Sequence, residues 1–161
     1  MHLESNFLLS VSFTDPSDSL YSAVIYLSPS NYHHIHTPCD FEISERVHVP
    51  GVLLPVKSYY ANKVKGLFTM NERVVLNGKW REGFFSLGMV GAFNVGSIRI
   101  TNPNDQITTN LPHELIHKNH KHRKIYDEKW LVEQGDRCGT FEVSCIEYGL
   151  SLVGVNCGSG I

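Results

Sequence analysis

Two histidines three residues apart, His33 and His36, follow the breaker Ser28-Pro29-Ser30-Asn31 in a stretch that reads YLSPSNYHHIHTPCDF. Imidazoles titrate near neutrality, and a loop anchored by a strand at each end can hold them where a proton has to be moved. Both anchors are present: an apolar run ends at Leu27, and a second, Val52-Leu53-Leu54-Pro55-Val56, follows Pro50-Gly51. The same pattern also describes a histidine-rich turn with no role, and spacing alone leaves the two readings open. His34, between the pair, is expected to point away and is assigned nothing.

A second cluster invites different chemistry. His113-Glu114-Leu115-Ile116-His117 has the H-E-x-x-H spacing that, on a helix, sets two imidazoles on one face for zinc with a glutamate as general base. Pro112 suits a first helical position, and Glu128 or Glu133 would be the candidates for a further ligand. The metalloprotease continuation fails, because position 120 is His and Arg123 stands where a third histidine belongs. Neighbours such as Lys118 and Asn119 are also too polar for a buried zinc helix. The motif is expected to be a decoy with no catalytic metal, and His113, His117, His120 and His122 are expected to bind metal only adventitiously.

The elements that would position these groups are short. At 161 residues, one domain with a real core is expected; 42% hydrophobic and 19% charged residues are ordinary for a globular chain. A net charge of −2 gives no reason to expect nucleic acid as a partner. Cys39, Cys138, Cys145 and Cys157 lack C-x-x-C spacing, which points to free thiols rather than a zinc knuckle or disulfide framework. No apolar run approaches the roughly 20 residues that span a bilayer, and residues 1–13 lack the features of a signal or transit peptide. Any membrane contact is therefore expected to be peripheral.

Residues 20–27 read as a buried strand, and residues 58–70 as one amphipathic helix, with Tyr60, Val64, Leu67 and Phe68 at helical spacing. Residues 71–76 are β-like and run into Asn77-Gly78, a hairpin signal, with strands expected again over 80–90 and 95–100. The glycines at 83, 88, 91 and 96 suggest bulges or close backbone approaches. Residues 101–133 read as a polar loop. Its basic cluster, Lys118, Lys121, Arg123 and Lys124, describes either a wet surface or a contact for anionic lipid headgroups. The fold class expected is a β-rich α+β domain with sandwich-like sheets and one or two short helices.

The histidine stretch, Tyr26-Leu27-x-Pro29-x-x-Tyr32-His33-x-x-His36-x-Pro38, resembles the central signature of phosphatidylserine decarboxylases, with Asn31 where that family has aspartate. The resemblance continues in order through Val49-Pro50-Gly51-x-Leu53-Leu54-Pro55-Val56, Asn71-Glu72-Arg73-Val74-Val75-Leu76, Val90-Gly91-Ala92-x-Asn94-Val95-Gly96-Ser97-Ile98 and Gly135-Asp136-x-x-Gly139-x-Phe141. It divides the chain into an atypical segment 1–19, a family-like domain 20–142 and a divergent tail 143–161. The resemblance implies a sandwich-like fold and a pyruvoyl group, the electron sink for decarboxylation, made from a serine of the chain itself. It implies that His36 is the base activating that serine and that His33 assists decarboxylation and reprotonation. Phosphatidylserine and a membrane surface, and possibly a full-length homologue, are the implied partners. The implied location is peripheral on the mitochondrial inner membrane.

Two departures bear on self-activation. The family's triad aspartate lies in an upstream Ser-Pro-x-Asp-Gly segment, which Asp15-Pro16 and Asp18 do not reproduce. The family's Leu-Gly-Ser-Thr cleavage motif is replaced after Phe141-Glu142 by Val143-Ser144-Cys145-Ile146, so Ser144 stands for the glycine and Cys145 for the serine. Gly158-Ser159 comes too late to substitute. Likeness stops at Val143-Ser144, a pair that a eukaryotic intron start can encode, so the tail is expected to be translated intron or an alternative exon. Its one apolar run, residues 150–155, is weak, and an unpaired sheet edge is expected. The pyruvoyl group is expected not to form.

Overall fold

The computed structural model describes residues 21–28, 30–93, 95–107, 109–110, 121–142 and 150–155. These form two antiparallel sheets and two short helices, in agreement with the expected β-rich α+β sandwich. The strands are β1 (Tyr21–Ile25), β2 (His34–His36), β3 (Phe41–Val49), β4 (Arg73–Trp80), β5 (Gly83–Val90), β6 (Ser97–Ile100), β7 (His122–Val132), β8 (Arg137–Glu142) and β9 (Leu150–Val155). The larger sheet has the order β1-β9-β5-β4-β3-β7 and the smaller β2-β8-β6. The core lies between them. Phe41, Ile43, Val74, Leu76, Phe85, Leu87 and Met89 come from the larger sheet, and Ile35, Ile98, Cys138 and Phe141 from the smaller. Phe41 meets Phe85 edge to face at 4.6 Å between ring centroids, which favours the aromatic quadrupoles as well as burying area.

A bulge in β3 decides what this core contains. Before it, Phe41 and Ile43 face the core; the register slips between Ile43 and Glu45, and afterwards Arg46 lies opposite Leu76 and His48 opposite Val74. One extra residue thus turns a strand over. Arg46 and His48 are sent inward and buried, while Val47 and Val49 join Val75 in a separate apolar cluster. Buried polar and charged groups need partners, and both side chains find one. Arg46 Nε donates to Asp105 at 2.7 Å, with Tyr126 Oη (2.7 Å) and Lys124 Nζ (3.0 Å) on the same carboxylate. Burial works to raise the Asp105 carboxyl, but the hydrogen bonds from Arg46, Tyr126 and Lys124, with the Arg46 charge, hold it below its usual range. A depressed folded-state pKa contributes stability above the unfolded value, about 3.9, that is lost as pH falls through the folded one. Breaking this buried pair with Asp105→Asn should cost about 3 kcal/mol near pH 7, and the gap from wild type should begin to narrow only as pH falls below about 4, toward the lower folded-state value. Thermal melts across that range check this; a gap independent of pH would contradict it.

Five local expectations are corrected. β4 runs straight through Asn77-Gly78, and the turn is at Arg81-Glu82. Asn77 is buried and bonded to Ser86 and Glu45, and a Cβ on Gly78 would lie 1.9 Å from the Glu42 carbonyl oxygen. That glycine marks a close backbone approach beside the bulge rather than a turn. The single helix over 58–70 is two one-turn helices, α1 (Ser58–Ala61) and α2 (Leu67–Met70), separated at Gly66, whose φ of 68° ends any continuous helical path. The N-terminal run does form a strand, β1, but all five residues are exposed at the sheet edge. The polar loop over 101–133 contains the eleven-residue strand β7, which pairs with β3. The expected unpaired edge is filled: β9 pairs with β1 on one side and β5 on the other.

Candidate active site

The loop carrying the histidines is closed by a turn. Asn31 N–H donates to the Ser28 carbonyl at 2.9 Å, and Ser28 N–H donates to Asn31 Oδ1 at 2.7 Å. An aspartate would accept the second bond equally well, so the departure at position 31 leaves the turn intact. The Asn31 carbonyl accepts from His33 Nδ1 at 2.6 Å. A carbonyl can only accept, so the His33 proton sits on Nδ1 and the lone pair on Nε2. That Nε2 is buried with no hydrogen-bond partner among the described residues. The result is an imidazole pinned by one nitrogen, with no partner for the other among the described residues.

His36 is held differently. Its Nδ1–H donates to the Gly135 carbonyl at 2.6 Å, and Tyr32 Oη–H donates to its Nε2 at 2.9 Å. Among the described residues, the group orienting this ring is a neutral carbonyl, not a carboxylate. The tautomer is fixed, but an imidazolium here would lack the charge compensation of a Ser-His-Asp arrangement. Tyr32 and Gly135 both lie within motifs visible in the sequence, yet neither was legible as a partner of His36. His34 does not point away: it shares the strand face of His36, and the Tyr32 ring packs on both, at 4.8 Å and 5.7 Å between centroids.

Two distant motifs meet here. β2 pairs with β8, which sets Ile35 opposite Gly139 and His36 opposite Arg137, and Phe141 N–H donates to the His33 carbonyl at 3.0 Å. His33 is thereby fastened three residues before Ser144, at the end of the strand that leads to the position expected for cleavage. Ser144 and Cys145 lie outside the described residues. Cys138 is on β8 too, but burial pushes its thiol up to about 12, which leaves it protonated and inert.

The remaining motifs stitch the core. Glu72 is buried; its carboxylate accepts from His48 Nε2 (2.6 Å), Gly51 N–H (2.7 Å) and Asn110 N–H (3.1 Å). The Asn71 side chain donates to the carbonyls of Leu54 (2.9 Å) and Gly91 (3.0 Å) and accepts from Leu54 N–H (3.1 Å). These two residues tie three otherwise separate segments together. The motif from His113 to His117 lies outside the described residues, as does Lys118. Within the rest of the basic cluster, Arg123 pairs with Glu45 and Lys124 with Asp105, so two of its charges are already compensated. A pocket of about 200 Å³ opens beside the histidine loop's N-terminal anchor, lined by Tyr26, Pro55, Val56, Lys57, Tyr60 and Phe93.

A sequence model described as phosphatidylserine decarboxylase matches residues 3–146. The chain belongs to the phosphatidylserine decarboxylase family. The match extends on both sides of residues 20–142, where the motifs lie. The chain is 39% identical over 132 residues to the phosphatidylserine decarboxylase proenzyme of Plasmodium falciparum, covering 81% of this chain and 36% of that protein. To the mitochondrial proenzyme of Cricetulus griseus it is 52% identical over 99 residues, 62% of this chain and 24% of the relative. To mitochondrial proenzyme 1 of Saccharomyces cerevisiae it is 36% identical over 139 residues, 82% of this chain and 28% of the relative. The chain thus spans little more than a third of the relatives' length at most.

Proposed function

We propose that this chain carries the histidine-bearing part of a phosphatidylserine decarboxylase, which converts phosphatidylserine to phosphatidylethanolamine and CO₂. Residues 20–142 are its family-like unit, and residues 143–161 are a divergent tail. The observation that carries the reading is His33, whose Nδ1 is bonded to the Asn31 carbonyl and whose buried Nε2 has no partner among the described residues. A proton delivered to the α-carbon after CO₂ departs needs such a group, fixed in direction and shielded from bulk water. His36 is the base for chain cleavage, with Tyr32 holding its Nε2 lone pair until a nucleophile displaces the phenol. By analogy with the relatives named mitochondrial, the site of action is the mitochondrial inner membrane, contacted peripherally.

The residues present do not fit the family's self-derived pyruvoyl group. Ser144-Cys145 stands for Gly-Ser, and both nitrogens of His36 are already bonded, neither to a carboxylate. We therefore infer that the chain as it stands does not activate itself. This favours a second reading, a non-catalytic family variant that binds phospholipid or a full-length homologue. A chimera separates the two: residues 20–142, joined to a Ser-Pro-x-Asp-Gly segment before and a Leu-Gly-Ser-Thr segment after, should release CO₂ from phosphatidylserine. A folded chimera that is cut and still inert would leave the binding variant as the better account.

A further inference from the structure

The sequence between Gly51 and Asn71 holds Lys57, Lys63 and Lys65 and no acidic residue, in a chain whose net charge is −2. The α1–α2 segment displays these lysines beside exposed aromatic rings. Tyr59 and Tyr60 are 61% and 42% exposed and pack edge to face at 5.3 Å. Lys63 Nζ lies 4.3 Å from the Tyr59 ring centroid and donates to its hydroxyl at 2.8 Å. Tyr60 continues into the pocket it shares with Tyr26, Phe93 and Lys57, where Tyr26 is 41% and Phe93 51% exposed. Beneath the segment, Leu67 and Val56 pack on Val90 and Ala92, so the patch is rigidly backed rather than a loose loop. Lys63 and Lys65 form no ion pair with a carboxylate among the described residues, in contrast to Arg123 and Lys124 on β7.

We propose that this patch docks the protein on an anionic phospholipid bilayer. Amphipathic rings are at home at headgroup depth, and uncompensated lysines are attracted to a negative leaflet. The adjoining pocket, lined by Pro55, Val56 and the rings of Tyr26, Tyr60 and Phe93 with Lys57 among them, offers a lipid both an apolar surface and a cation. The patch would therefore present the domain to the class of lipid named in the preceding proposal, on which this inference rests. It also relocates the membrane contact from the basic cluster at 118–124 to the opposite stretch of sequence.

Co-sedimentation of the full chain with vesicles tests this without any catalysis. Binding to phosphatidylcholine vesicles containing 30% phosphatidylserine or phosphatidylglycerol is expected, and weak binding to pure phosphatidylcholine. Lys63→Gln with Lys65→Gln should weaken binding roughly 30-fold, about 1 kcal/mol per lysine, and so should Tyr60→Ser with Phe93→Ser through lost insertion. Lys121→Gln is the control and should bind as wild type, and melting curves should show each variant folded. Tight binding that survives both double variants would overturn the assignment of the surface while leaving the decarboxylase reading untouched. Loss in the Lys121 control as strong as in the lysine pair would overturn it in favour of diffuse charge attraction. A chain that ignores all vesicles but forms dimers broken by Tyr60→Ser with Phe93→Ser would overturn it in favour of a protein contact.

Discussion

In the chimera carrying the family's upstream and cleavage segments, His36→Ala should leave the chain uncut, whereas His33→Ala should permit cutting and lower decarboxylation by about 10² to 10⁴-fold, the usual worth of a positioned acid or base. The difference follows from how the two rings are held. His36 is oriented through Nδ1 on Gly135 and presents Nε2 to a hydroxyl, that of Tyr32, as it would to an attacking one. Its removal deletes the acceptor for the nucleophile's proton. Among the described residues, His33 makes no side-chain bond to a hydroxyl; it is tethered to Asn31 and its Nε2 has no partner. Deleting it spares the cut and removes the proton donor for the next step. Gel mobility and CO₂ release measured on the same samples distinguish the two. Equal loss of cutting in both variants would contradict the division of roles.

The site was partly legible in the sequence because its two halves are local motifs. Tyr32-His33-x-x-His36 and Gly135-Asp136-x-x-Gly139-x-Phe141 could each be read along the chain. What could not be read was that they face each other across β2 and β8, since strand partners such as His36 and Arg137, far apart along the chain, leave no local trace. Tyr32 is only four residues from His36, but its hydroxyl reaches that ring through the conformation of the loop, which residue types alone do not specify. Gly78 and Gly66 show the converse error. Asn77-Gly78 carries a strong hairpin preference, but tertiary packing against Glu42 uses the glycine for lack of a side chain. The helical spacing of Tyr60, Val64, Leu67 and Phe68 is real, yet a left-handed Gly66 interrupts it. The bulge that turns Arg46 and His48 inward is equally silent, because it depends on register against β4 and β7 rather than on residue type. β9 was missed because residues 150–155 are only weakly apolar, and the gap between β1 and β5 recruits them through backbone pairing.

Self-processing is expected not to occur in this chain. A thiol is a better nucleophile than a hydroxyl, so Cys145 would be the attacking group if any cut occurred. Two features oppose it. Ser144 brings a β-carbon where the family has glycine, restricting the backbone shape available to the attack. His36 offers an Nε2 already accepting from Tyr32 and an Nδ1 on a neutral carbonyl, so a proton taken there is poorly compensated. Intact-mass spectrometry of the purified protein after long incubation, with hydroxylamine to trap any thioester, decides the matter. The expected result is one uncut chain of 18.2 kDa; a fragment beginning at residue 145 with a blocked, carbonyl-reactive N-terminus would contradict it.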